Sequence, residues 1–201
     1  MKWPFSPFVP TPAAAPPLFV NASYTGKPAD ILAGRLRFIA ELPSSSGYIS
    51  RTALNGLFEV TTDRSNALQI RIDTSRTMQP LQITNSYPEM PNLGITWYDG
   101  LPEWTAISDK NATLCATSRD LQNKSTPVYY RGPTQINVWA YSPDGELKPS
   151  WLGQDYGPQS LETATYITGK GVVFIPNFAR FSSAGRSGYS KGRLVLEPLA
   201  G

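Results

Sequence analysis

Prolines and glycines interrupt this chain before a long helix can form: 19 of one and 16 of the other are spread along 201 residues. Proline removes an amide donor and collides with the preceding helical turn, and glycine weakens helix interiors. Between the breaks lie short runs that alternate apolar and polar side chains. In residues 34–42, Leu36, Phe38, Ala40 and Leu42 fall on one side, with Arg35, Arg37 and Glu41 on the other. Residues 67–73 repeat the pattern with Leu68, Ile70 and Ile72. A strand of this kind has one face to bury, so the economical solution is an all-β fold of two packed antiparallel sheets, with a barrel as the near alternative.

Further strands are expected at 57–62, around Met78, Leu81 and Ile83, at 94–98 before the Asp99-Gly100 turn, and at 128–130. Residues 135–141 form the clearest strand, stopped by Ser142-Pro143-Asp144-Gly145. Residues 166–168 and 171–176 flank a turn at Gly169-Lys170, and 192–197 close the series. Asp63 to Asn66 reads as a hairpin loop, and 148–158 as a loop anchored by Trp151 and Tyr156. A short helix has one place to go, residues 107–122. The expected total is about nine or ten strands in one domain over residues 18–201, beginning with a strand at 18–24. No repeat of fixed period occurs, which disfavours propellers and solenoids.

Residues 1–17 are different. Pro4, Pro7, Pro10, Pro12, Pro16 and Pro17 alternate there with Trp3, Phe5, Phe8 and Val9. The prolines fix φ and withhold donors, so an extended arm is expected, with no hydrogen bonds of its own. Its large apolar residues suit a strip that lies on another surface, which makes Trp3, Phe5, Phe8 and Val9 candidate assembly residues.

Histidine is absent. That removes Ser-His-Asp and Cys-His nucleophile systems and His-ligated zinc. The lone cysteine, Cys115, sits among small and apolar neighbours and is expected in the core, so there is no intrachain disulfide framework. No catalytic constellation and no cofactor or metal motif stands out: Asp99 with Glu103 reads first as a turn, and Asp144-Gly145-Glu146 lacks the alternating oxygen ligands of a calcium loop. The three tripeptides that match glycosylation acceptors, at Asn21, Asn111 and Asn123, matter only on a secretory route. The first residues carry neither a secretory leader nor a myristoylation glycine, and no apolar run is long enough for membrane insertion, so synthesis in the cytoplasm is expected.

Two surface patches are candidates for binding. Lys170, Arg180, Arg186, Lys191 and Arg193 lie in a stretch with Phe178, Phe181 and Tyr189, a pattern that can neutralise phosphates and stack bases. Trp97, Tyr98 and Trp104 could form a sugar-stacking face, although aromatics such as these and Trp139, Tyr141 and Trp151 more often fill a β core. The formal charge of +3 is too small to indicate nucleic acid by itself.

Three stretches carry a family resemblance. Residues 34–38 resemble the strand of picorna-like virus jelly-roll coat proteins in which a glycine and a basic residue open an alternating run. Residues 136–144 are similar to a strand of that family ending in an acidic turn, and residues 174–182 to its loop after a hydrophobic run into proline and aromatics. The resemblance implies a jelly-roll-like sandwich and a structural role in the virion as a capsid, minor capsid or decoration subunit. It also implies partners that are copies of itself or other structural subunits, and it carries over no catalytic residue. A carbohydrate-binding β-sandwich module is the alternative function.

Overall fold

The computed structural model of the chain describes residues 30–104, 108–121, 123–127, 129–153, 157–168 and 171–199. The arm with Trp3, Phe5, Phe8 and Val9, the strand expected at 18–24, the Gly169-Lys170 turn and Tyr156 lie outside the described residues.

Fifteen strands are described, all paired antiparallel. In chain order they are β1 (Ile31–Ala40), β2 (Gly47–Ile49), β3 (Val60–Thr61), β4 (Gln69–Asp73), β5 (Leu81–Ile83), β6 (Asn92–Trp97), β7 (Ala112–Thr117) and β8 (Lys124–Ser125). They continue as β9 (Thr134–Gln135), β10 (Trp139–Tyr141), β11 (Glu146–Gly153), β12 (Gly157–Ser160), β13 (Glu162–Tyr166), β14 (Val172–Ile175) and β15 (Tyr189–Pro198). Eight of them form a closed ring, β1-β4-β5-β6-β7-β14-β13-β15, which returns to β1. Closure leaves those eight without a free edge.

The seam between β1 and β15 shows why the ring takes this register. Leu36 faces Leu196 and Phe38 faces Leu194, and all four side chains are buried. A slip of one residue would turn both apolar sets outward. At Gly192, opposite Ala40, a Cβ would collide with the Ile39 carbonyl oxygen and the Phe38 ring, so the close approach of the two backbones requires glycine. The interior is then filled by Leu93, Ile95 and Trp97 of β6, Leu114 of β7, Phe174 of β14 and Trp139. Trp139 donates its indole N–H to the Leu93 carbonyl at 2.9 Å and meets Phe174 edge to face.

Several local expectations are corrected. The short helix is α1 (Phe178–Ser183), not within 107–122, where β7 lies instead. Asn177 starts α1 by accepting the Arg180 N–H, and Phe181 packs on the outward residues Ala164, Val173 and Ile175. β7 does not alternate because both its faces are covered, and every residue in it is buried. Its outer neighbour Lys124 donates to the hydroxyls of Thr96 and Thr134 at 3.2 and 3.0 Å. The expected single strand at 135–141 bends after β9, leaving β6 to reappear as β10 beside β11.

Residues 148–153 and 157–158 are strand and not loop: they belong to β11 and β12, which pair antiparallel with each other, and Trp151 is buried. Pro149 is tolerated because Ser150, and not Pro149, donates to Val138. Asp63 to Asn66 is not a hairpin loop either. It is a one-turn 3-10 segment in which Asp63 accepts the Ser65 N–H, carrying the chain from β3, which pairs with β2, to β4, which pairs with β1.

Candidate functional site

The strand ends at one rim of the ring bring together tyrosines far apart in the sequence. Tyr98 follows β6, Tyr166 ends β13, and Tyr189 begins β15 opposite it. Tyr129 and Tyr130 come from the connection between β8 and β9. With Arg186 they line a cleft of about 540 Å³.

Backbone hydrogen bonds hold this wall in place. The Tyr98 N–H donates to the Asn111 carbonyl at 3.1 Å, and the Arg131 N–H donates to the Tyr98 carbonyl at 2.9 Å. Across the cleft, the Tyr166 N–H reaches Gly171 at 3.0 Å and the Ile167 N–H reaches Gly188 at 2.8 Å. A Cβ on Gly188 would stand 2.8 Å from the Tyr166 ring, so the missing side chain lets that ring lie on the backbone.

The rings form two groups. Tyr98, Tyr129 and Tyr130 have centroids 5.1 to 5.9 Å apart, and Tyr166 sits 5.1 Å from Tyr189. Such contacts contribute roughly 0.5–1.5 kcal/mol per pair beyond area burial, enough to stiffen the wall. Tyr130 is buried and donates its hydroxyl to Asn111 Oδ1 at 2.9 Å. Tyr98, Tyr129 and Tyr166 keep 48%, 47% and 42% of their surface exposed. Burial pushes the Tyr130 and Tyr189 phenols above their ordinary pKa, so both remain neutral near pH 7. Arg186 stands at the edge, 5.1 Å over the Phe181 ring and 3.3 Å from the Asp109 carboxylate. The arrangement offers flat apolar ring faces edged by phenol groups. It suits binding of a ligand rich in C–H groups and carbonyl oxygens.

The sugar-stacking trio does not come together. Trp97 is fully buried, Trp104 packs edge to face on it with centroids 6.0 Å apart, and Tyr98, the next residue along the strand, turns into the cleft. Trp139 and Trp151 are core residues, and Tyr141 packs against the same core.

The basic set is also dispersed. Arg186 pairs with Asp109, Lys191 with Glu162, and Arg193 with Asp144 at 3.4 Å, while Arg180 is on the outward side of α1. Lys170 lies outside the described residues. Those acids come from distant parts of the chain, so counting charges within one stretch missed them. Cys115 is wholly buried, and desolvation pushes its thiol up to about 12, in keeping with a packing role.

No protein-family model, curated protein or solved structure matches this chain. No helix among the described residues is long and apolar enough to cross a membrane.

The cleft itself escaped sequence reasoning. Its signal was indirect: Tyr98 precedes a turn at Asp99-Gly100, Tyr166 precedes the turn before β14, and Tyr189 follows Gly188. Tyrosines at strand ends become neighbours only if those ends share a rim, which requires the strand order.

Proposed function

We propose that this protein works by binding, as a structural subunit of a viral particle (a capsid, minor capsid or decoration protein) joined to copies of itself or to other structural subunits. The observation that carries this reading is the tyrosine cleft, where three half-exposed rings, two at strand ends and one in the β8-β9 connection, form one surface. The closed barrel supports it by providing a rigid body, and the resemblance of residues 34–38, 136–144 and 174–182 to jelly-roll coat proteins supplies the particle context. On this reading the ring is a jelly roll whose strands fall into two facing sheets around Trp97 and Trp139, and the protein resides in the virion.

Nucleic-acid contact through the basic residues would require Arg186, Lys191 and Arg193 to exchange their carboxylate partners for phosphate. Sedimentation of the full chain over a wide concentration range tests the proposal. Multimers or particles are expected, and a chain that remains monomeric at high concentration, alone and with co-expressed structural proteins, overturns it.

The exposed rings favour a second reading, carbohydrate binding, because sugars present C–H faces to aromatics. Here the contact would run through Tyr98 and Tyr129 and not through buried Trp97. Glycan-array binding lost in Tyr98→Ala but kept in Trp104→Ala would select it.

A further inference from the structure

The cleft and the start of the described chain lie at opposite ends of the barrel. β1 and β15 run antiparallel, with Gly34 opposite Pro198, so Asp30 and Ile31 lie beyond the end of β15, whereas Tyr189 begins it. A ten-residue strand at about 3.3 Å per residue separates the two ends by roughly 30 Å. The described chain therefore starts at the pole opposite the tyrosines, with 29 residues before it in the sequence. In polyproline II geometry, at about 3.1 Å per residue, that many residues extend to roughly 90 Å, ample reach to a neighbouring molecule.

The two surfaces match in chemistry. The first 17 residues hold six prolines, and each lacks an amide donor while keeping its carbonyl acceptor. Such a strip needs hydroxyl or guanidinium donors and flat rings against which pyrrolidine C–H groups can lie, as aromatic-lined grooves provide for proline-rich segments. Tyr98, Tyr129, Tyr166 and Tyr189 supply rings and phenol groups together, with Arg186 at the edge. Charge plays little part: Lys2 is the only ionisable side chain in residues 1–17, and Arg186 is already paired with Asp109.

We infer that the proline-rich arm of one copy docks in the tyrosine cleft of a second copy. The contact is heterologous: the described chain starts at one pole and the receptor lies at the other, so repeated docking builds a ring or an open filament. This inference rests on the assembly reading above and names the segment and the surface that assembly uses.

The test uses the full chain in two variants, with circular dichroism checking that each keeps its fold. Tyr129→Ala/Tyr166→Ala removes the receptor and keeps the arm, while Trp3→Ala/Phe5→Ala/Phe8→Ala removes the strip and keeps the cleft. In sedimentation each variant alone is expected to self-associate at least tenfold more weakly than the unaltered chain. Their mixture is expected to form a one-to-one dimer and stop there, because one intact arm meets one intact cleft. The association should persist in 1 M sodium chloride, as an uncharged contact does.

Should alanine at the rings disturb the fold, Tyr129→Phe with Tyr166→Phe keeps the rings, removes their phenol donors alone and is expected to weaken association severalfold. If the unaltered chain assembles while both variants assemble equally well, the inference is overturned and the assembly reading stands. A chain that is monomeric with its arm held in its own cleft, seen as protection of residues 1–17 from chymotrypsin independent of protein concentration, overturns the inference. So does a mixture of the two variants that shows no dimer.

Discussion

Tyr129 and Trp139 stand ten positions apart in the sequence, yet they meet opposite conditions. Trp139 is wholly buried, its N–H satisfied by Leu93 and its ring packed on Phe174. Tyr129 keeps 47% of its surface in solvent and packs against the Tyr98 and Tyr130 rings. The interior aromatics hold the barrel together, while the rim aromatics are presented by it. On the binding reading proposed above, stability and recognition fall to different aromatic residues, and substitutions should separate them.

The largest effect is expected at Trp139. Trp139→Ala opens a cavity and orphans the Leu93 carbonyl, so urea unfolding should show a loss of about 3–5 kcal/mol. Gly192→Ala, also inside, should cost roughly 1–3 kcal/mol by forcing apart the β1-β15 seam, read in the same assay.

Between the two regimes lies the half-exposed Glu162–Lys191 pair. Desolvation raises the Glu162 pKa, but Lys191 and the Phe178 N–H together outweigh it and hold the carboxyl below its ordinary 4.5. A depressed folded-state pKa contributes stability above the unfolded value and loses it as pH falls through the folded one. Thermal unfolding of Glu162→Gln should therefore differ from the parent by within about 1 kcal/mol at pH 7, with the gap closing below about pH 4.5.

The smallest stability effect is expected at the rim. Tyr129→Phe, which keeps both ring contacts and removes only the phenol oxygen, should shift unfolding by within about 0.5 kcal/mol. A loss at Tyr129 as large as that at Trp139 would break the division between core and rim.

The legible parts of the fold are the strands with one wet face. In β1, β4 and β15 solvent on one side forces alternation, and Leu36, Phe38, Ile70, Ile72, Leu194 and Leu196 could be placed inside by period alone. β7 was opaque because Thr113, Cys115 and Thr117 are covered as fully as Ala112, Leu114 and Ala116, leaving nothing to alternate. β11 was hidden by Pro149, which breaks a strand pattern in sequence but occupies a position where no donor is needed. The cleft was out of reach for a third reason. Tyr98 and Tyr189 are neighbours only through the order in which β6, β7, β14, β13 and β15 pair, and no local signal carries that order.

The β1-β15 seam has a consequence for how the molecule is made. The first and last described strands are partners, so a chain leaving the ribosome carries β1 and the β4-to-β7 meander as an open sheet until β15 emerges. Contacts of such sequence separation form slowly. During that interval the bare side of β1 can pair with the wrong nascent chain, and whatever shelters it then governs the yield of closed barrels.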